Sequence, residues 1–319
     1  MIDLPVGLPL LLALLLDAAF GEPAWLYRRI PHPVVMLGHL ISAAERRLLR
    51  PEASPARKRI AGVLLLVLVT GIAVAVGLAL HLVLARLPAG WAIEAALMST
   101  LIAQRSLVDH VRAVADGLDQ GLAEARAAVS RIVGRDPEAL DRPAIARAAL
   151  ESLAENFSDG VVAPLFWGLV GGLPGMLAYK AVNTLDSMVG HKSPRYLDFG
   201  RASARFDDLV NLIPARLAAL VLLLAAFVSR LDVAGAWRAI WRDAKHHRSP
   251  NAGWPEAAMA GALDLRLAGP RSYGGVQVDD GWMGDGSPDA DVASIRAGLR
   301  LAWVAWGVLF VLTALTALG

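Results

Sequence analysis

From Ile60 to Ala85 the chain runs through twenty-six residues without a single Asp, Glu, Lys or Arg. At about 1.5 Å of rise per residue, a helix of that length crosses a hydrocarbon core of roughly 30 Å. Residues 301–319 (LAWVAWGVLFVLTALTALG) are equally free of formal charge. Two more stretches each hold one acid: Leu4 to Phe20 contains Asp17, and Leu87 to Gln104 contains Glu94. An acid at that depth either reaches back to the interface or has a function. Composition agrees, with 56% of 319 residues hydrophobic and 19% charged, below the roughly 25% charged residues of soluble proteins. The expected fold is an all-α, polytopic integral membrane protein, a single domain with about four spans at 4–20, 60–86, 87–104 and 299–319.

The remaining segments follow from charge and glycine. Residues 21–59 hold eight Lys/Arg against three acids, which places them in the cytoplasm. The chain begins Met-Ile-Asp without a basic flank, so the first helix is expected to stay uncleaved. Residues 105–160 are charged and Ala-rich and read as cytoplasmic amphipathic helices, Arg105 to Ser130 and Pro143 to Phe157. Within 161–182, Val161 to Tyr179 carries no formal charge but is interrupted by Gly171-Gly172-Leu173-Pro174-Gly175. Such a run does not continue a helix, and two half-helices forming a re-entrant or broken segment are expected. A polar site loop at 183–208 precedes an apolar segment at 209–229, where Pro214 and Arg216 leave spanning open. Polar helices and loops fill 230–298, with an acidic Gly/Asp/Pro linker at 279–291.

Several chemistries are excluded. There is no cysteine, hence no disulfide, thiolate nucleophile or Cys-ligated metal. A net charge of +2 and the lack of a basic tract argue against nucleic acid. Neither a GxxxxGK[ST] loop, a strand-linked GxGxxG nor a GxSxG elbow occurs.

Three polar blocks remain. In Glu151-Ser-Leu-Ala-Glu155-Asn156-Phe-Ser-Asp159-Gly160, Glu151 and Glu155 share one helical face, where they repel unless a cation intervenes. Such a pair can hold Mg²⁺, or the block can be a surface helix ending in an ordinary Asn/Ser/Asp/Gly cap. The block from Lys180 through Asn183, Asp186, His191, Lys192 and Arg195 mixes amide, carboxylate and cation. It offers metal ligands and phosphate donors, or simply a cap with basic residues obeying topology. Asp207 and Asp208 follow it, as a metal pair or a solvated turn. The third block is His246-His247-Arg248-Ser249-Pro250-Asn251, with Gly269-Pro270-Arg271-Ser272-Tyr273-Gly274-Gly275 downstream. Adjacent histidines do not share a helical face, so zinc of the HExxH kind is not indicated.

Together these blocks resemble the adenosylcobinamide-phosphate synthase family of cobalamin biosynthesis. The likeness runs through LLDAAFGEPAWL and IPHPVVMLGHLI (Asp17, Glu22, Pro23, His32, Pro33, Gly38), ENFSDGVVAPLFWGLVGGLPGMLAYKAVNTLDSMVGHKSPRYLDFG, ARFDDLVNLIPARL and HRSPNAGWPEAAMAGAL, in that order. Departures are the inserted Tyr27-Arg28-Arg29, and Asp264 and Ala268 in ALDLRLAGP, where glycine-like residues are commoner. Over 50–145 only hydropathy is similar. The resemblance implies ATP-dependent amide formation between adenosylcobyric acid and (R)-1-amino-2-propanol or its O-phosphate, in the bacterial cytoplasmic membrane, with a cytoplasmic site. It implies ATP and Mg²⁺, a corrinoid substrate, the lipid bilayer as partner and other cobalamin-pathway membrane enzymes as neighbours. Since a carboxylate does not acylate an amine in water, it must first be activated, most simply as an acyl phosphate. Within that frame Glu151, Glu155, Asp159 and Asp186 are assigned to catalysis and Mg²⁺, with Asp207 and Asp208 as rival ligands. Substrate and phosphate contacts fall to Asn156, Lys180, Asn183, Lys192, Arg195, Arg248, Ser249 and Asn251. A transporter built on the broken segment and a non-catalytic assembly protein are the alternative readings.

Overall fold

The computed structural model describes residues 7–134, 137–269, 271–273, 276–278 and 281–318. In chain order the helices are α1 (Gly7–Phe20), α2 (Ala24–Tyr27), α3 (Pro33–Leu48), α4 (Pro55–Leu84), α5 (Gly90–Ser99), α6 (Gln104–Gln120) and α7 (Leu122–Val129). There follow α8 (Arg142–Phe157), α9 (Ala163–Val189), α10 (Arg201–Val210), α11 (Leu212–Val228), α12 (Val233–Asp243), α13 (Gly253–Ala262) and α14 (Val292–Leu318). A π-helical turn, Ser158–Val162, joins α8 to α9. The chain packs as two compact units. Unit 1 is Met1–Ala103, Ala163–Asn211 and Thr313–Gly319, and unit 2 is Gln104–Val162 and Leu212–Leu312.

In unit 1, α4 shows how a membrane helix packs. Its buried stripe is Gly62, Leu65, Val69, Ala73 and Gly77, spaced three or four apart, while Val63, Leu64, Val67 and Leu68 are exposed. Small residues let neighbouring backbone approach, and the exposed leucines and valines suit lipid. At Gly77 a β-carbon would lie 2.7 Å from Cα of Pro174 in α9, and at Gly62 it would overlap the carbonyl of Phe199. Around this stripe Ile41, Leu65, Val69, Leu185, Val189 and Phe199 form a core.

Within α9 the helical geometry fails at Gly171 (φ −139°) and Gly172 (φ +59°). The failure is a reversal rather than a bend. A β-carbon at Gly168 would sit 3.1 Å from the Met176 side chain, and one at Gly175 would overlap the Trp167 carbonyl, whereas residues eight apart on a straight helix are about 12 Å apart. Gly172, in the left-handed region, makes the turn at little steric cost. The expected broken segment is therefore a tight pair of helical arms, Ala163 to Val170 and Leu173 to Val189.

By length and composition Pro55–Leu84, Val292–Ala317 and Arg142–Val189, the last folded back within α9, are apolar enough to cross a membrane, and the α10–α11 pair brings the total to four among the described residues. The number agrees with expectation, but the assignment changes. The segment 87–104 yields only α5, ten residues or about 15 Å, and α1 has fourteen, about 21 Å. As described, both are shorter than the core is thick, and the two pack together in unit 1. A turn at Arg86 to Ala89 and the loss of helix at Thr100 to Ala103 cut α5 short.

In unit 2, the amphipathic stretch 105–130 forms α6 and α7, broken at extended Gly121. Helix α8 starts at the Asp141 cap, whose carboxylate accepts from the Ala144 amide at 2.8 Å. Two small antiparallel ladders were not anticipated: β1 (Leu267–Ala268) pairs with β4 (Trp282–Met283), and β2 (Arg271–Tyr273) with β3 (Val276–Val278). Nor is the described part of 279–291 a free linker. Met283 is buried, the Gly284 amide donates to Asp243 at 2.8 Å, and Arg242 bridges Asp243 and Asp285.

Candidate functional site

The second arm of α9 carries Lys180, Asn183 and Asp186 three residues apart, along one side of a helix whose Ala181, Leu185 and Val189 enter the unit 1 core. Facing them is α10. Asp207, buried, accepts from Nδ2 of Asn183 at 3.5 Å and from Nδ2 of Asn211 at 3.1 Å. Asn211, itself buried, takes the Tyr179 hydroxyl proton on its Oδ1 at 3.0 Å. The Tyr179–Asn211–Asp207–Asn183 chain thus fixes one carboxylate between two helices. Asp186 lies close enough for its charge to act on Asp207, as does Asp208, while His191 and Lys192 supply positive charge to Asp186 and Asp208 respectively. Three carboxylates, two amides and three cationic or titratable groups gather on one face of unit 1.

A residue without a sequence-assigned role joins this face. His32 caps α3, its Nδ1 accepting from the Val34 amide at 3.2 Å, with its ring edge-on to Tyr27 at 4.6 Å. It feels the charges of Glu22 and Lys180, and burial, more than these charges, draws its pKa below the ordinary imidazole value. The N-terminal block therefore meets the central block in space. The signal was present in GEPAWL and IPHP, where a Pro after a potential cap marks a helix start.

Other assigned residues are occupied differently. Arg195 does not extend freely as a phosphate ligand: its Nη2 and Nε hold Oε1 of Glu45 at 2.7 and 3.1 Å, and the Tyr196 hydroxyl donates to the same oxygen at 2.9 Å. Lys192 is exposed.

Unit 2 holds the remaining residues. Glu151 is buried, and its Oε1 accepts from the Ala268 amide at 2.9 Å. Glu155 and Asn156 are exposed on α8, with the Asn156 amide donating to the Ser152 carbonyl at 2.9 Å. Asp159 lies in the π-helical turn, a local unwinding that often marks functional positions. Among the described residues no group of three or more His, Asp or Glu side chains is arranged to hold a metal ion.

The His247–Glu256 segment is an ordered cap. Ser249 Oγ accepts from the amides of Asn251 and Ala252, both at 3.2 Å, at the start of α13, and the Ser249 amide donates to Nδ1 of His247 at 3.0 Å. Buried Asn251 takes a hydrogen bond at 2.9 Å from Arg216, whose guanidinium lies 4.4 Å from the Trp254 ring centroid. Arg248, preceding this cap, is exposed. The downstream Gly-rich block lies partly outside the described residues, at Pro270, Gly274 and Gly275.

Residues 10–302 match the model of the CobD/Cbib protein family, an interval that contains every residue placed above. The chain belongs to this family. It is 53% identical over 305 residues to the cobalamin biosynthesis protein CobD of Sinorhizobium sp, covering 94% of both chains. The protein of that name from Rhodobacter capsulatus is 52% identical over 296 residues (92% of this chain, 91% of the relative), and that from Brucella suis 49% over 297 (92% and 91%). No solved structure matches it. A CobD/Cbib member with these spans is a multi-pass protein of the bacterial inner membrane and an amide-forming enzyme of cobalamin biosynthesis.

Proposed function

We propose that this enzyme activates a peripheral carboxyl of adenosylcobyric acid with ATP and transfers the acyl group to the amine of (R)-1-amino-2-propanol or its O-phosphate. The observation that carries this reading is the Asp186, Asp207 and Asp208 cluster, with Asn183, Lys180 and Lys192 beside it, built from the central block of the resemblance and the ARFDDLV block that follows it. In the balanced sequence, the carboxylate oxygen takes the γ-phosphoryl group of ATP and ADP leaves. The ammonium of the second substrate gives up one proton, the free amine nitrogen attacks the acyl carbon, phosphate leaves, and nitrogen loses a second proton.

The donor chemistry fits Mg²⁺, a hard ion that binds through one or two carboxylates, keeps several waters and completes its shell with substrate phosphates. Asp207 and Asp186 are the residues that would hold it, and when bound it would neutralise phosphate charge. The chain's own residues do the rest. Asn183 and Asn211 fix the orientation of Asp207 by hydrogen bonds, so its oxygens do not reorganise when charge develops nearby. Lys180 and Lys192 attract phosphate oxygens as mobile point charges. Where Asp208 takes its place beside the cation, Asp186, half-buried near a second carboxylate, is instead the base that receives the ammonium proton. In unit 2, Arg248, next to the Ser249–Asn251 cap, is assigned to phosphate by its charge, and the Oε1 of Glu151 serves the loop through the Ala268 amide.

Purified protein in detergent, supplied with adenosylcobyric acid, either amine, ATP and Mg²⁺, should release one ADP per amide formed. Amide formation without ADP release would exclude acyl-phosphate activation, and folded protein that forms no amide would overturn the assignment.

A further inference from the structure

We infer that Arg201 and Arg205 of α10 form a phosphate subsite beside the Asp186, Asp207 and Asp208 cluster, one that grips the terminal phosphate of a phosphorylated substrate. The inference rests on the amide-forming reading above and gives two further arginines a role in it. At 3.6 residues per turn, Arg201, Arg205 and Asp208 fall within about 60° of the circumference of α10. Both arginines are exposed. Buried Ser203 and Asp207 lie on the packed side of the helix, and exposed Phe206 and Leu209 fill a third sector. The helix thus has a packed side, an apolar open side and a charged open side, and the charged one carries the third carboxylate of the cluster.

Close glycine contacts bring the start of this stripe to the cluster. A β-carbon at Gly190 would overlap Oδ1 of Asp186, so that carboxylate lies over the end of α9. One at Gly200 would overlap the Val189 carbonyl and stand 3.2 Å from Cα of Gly190. Arg201 is the next residue, and it therefore leaves the backbone beside the turn that the Asp186 carboxylate covers. His191 and Lys192, whose charges act on Asp186 and Asp208 respectively, stand at the same end of α9.

Neighbouring arginines are engaged. Arg195 holds Glu45 and Arg59 holds Asp198, each at 2.7 Å. Arg201 and Arg205 have no carboxylate partner among the described residues. The positive-inside rule accounts for arginine on a cytoplasmic face. It does not account for two of them in register with Asp208 on a helix whose open side is otherwise apolar. A phosphate group approaching three carboxylates is repelled unless fixed cations offset their charge. Arginine suits that duty, because its charge is permanent and its planar fork gives two parallel hydrogen bonds to phosphate oxygens. The O-phosphate of the amine and the γ-phosphate of the nucleotide share this chemistry, and they differ in which Kd the two arginines control.

Calorimetry on the full-length protein in detergent gives Kd for (R)-1-amino-2-propanol O-phosphate, for the unphosphorylated amine and for ATP with Mg²⁺, and steady-state assays give KM for each. Arg201→Gln and Arg205→Gln should each raise both constants about tenfold to a hundredfold for at least one phosphorylated ligand. The constants for the unphosphorylated amine and the thermal midpoint should stay as in the wild type. A rise for the amine phosphate alone makes that group the occupant, and a rise for ATP alone makes it the γ-phosphate. Arg205→Lys keeps the charge but loses the fork, and should recover part of the affinity. Arg57, exposed in the first turn of α4, is the topological control, and Arg57→Gln should change neither constant. Unchanged affinity for both phosphorylated ligands would overturn the subsite, as would a wild type that binds neither or an equal loss in Arg57→Gln. A loss that extends equally to the unphosphorylated amine would overturn it too, since it marks a packing defect. Binding and turnover separate the two readings. Phosphate-selective losses in a protein that forms no amide would keep the subsite and discard the amide-forming assignment, whereas unchanged binding in an active enzyme would do the reverse.

Discussion

The carboxylate of Glu151 accepts a hydrogen bond at 2.9 Å from the amide of Ala268, which sits at φ +62°. Four residues upstream, Asp264 is also left-handed, at φ +54°. These are the two positions where the family resemblance led one to expect glycine. A non-glycine residue in this region costs about 1–2 kcal/mol. Ala268→Gly and Asp264→Gly should therefore each stabilise the protein by roughly 1 kcal/mol, read as a higher thermal midpoint in detergent. Glu151→Ala should destabilise it by about 1–3 kcal/mol, because a buried amide is left unpaired. If Glu151→Ala leaves the midpoint unchanged, this bond is not what holds the loop.

The same loop shows where sequence reading stops. Charge-free runs and Gly-Gly-x-Pro-Gly are local signals, and each found its counterpart, in α4 and in the reversal of α9. Partners far apart in the chain were not legible. Glu151 finds its amide 117 residues away and Arg195 its carboxylate 150 away. Spacing on one helix could therefore group Glu151 with Glu155 but could not reveal that the first was already engaged. Helix lengths set by turns were likewise misjudged: α5 stops at Ser99 although apolar residues continue.

Glycine placement on α4 separates packing from lipid contact. A β-carbon at Gly77 would meet the Pro174 backbone at 2.7 Å, while at Gly71 nothing lies within 4 Å. Gly77→Leu should lower stability by about 1–3 kcal/mol through overpacking, and Gly71→Leu should be near neutral or slightly stabilising, since helix propensity improves. Thermal shifts of the two variants, measured side by side in one detergent, check the contrast; equal losses would deny the close approach of α4 to α9.

His32 makes stability depend on pH in a defined direction. Burial lowers its folded pKa below the ordinary 6.5, so on acidification the unfolded chain binds its proton first. The associated stability is complete above about 6.5 and falls as pH drops through the lowered folded value. His32→Asn preserves a good helix cap but removes this titration. The thermal midpoint of the wild type should therefore fall more steeply below pH of about 6.5 than that of the variant, and parallel curves would exclude His32 as the source.

Asp186 and Asp207 should separate by function, because only Asp207 is locked in the Tyr179–Asn211 chain. Asp207→Asn replaces an acceptor with an amide facing two amide donors, so it should lower both stability and activity. Asp186→Asn, on the half-buried face, should leave the thermal midpoint within about 0.5 kcal/mol of the wild type while reducing kcat by roughly 10²-fold. If Asp186 receives the ammonium proton, raising Mg²⁺ will not restore the variant, but raising pH will, as free amine becomes the reacting species. If instead it holds the cation, the apparent Mg²⁺ requirement will rise and excess Mg²⁺ will recover part of the rate. Tyr179→Phe tests the other branch: it removes one buried hydrogen bond, leaving Asn211 Oδ1 short of a donor, and should weaken activity only through the orientation of Asp207. A Tyr179→Phe variant with unchanged activity and an unchanged Mg²⁺ requirement would show that the hydrogen-bonded chain does not position the catalytic carboxylate.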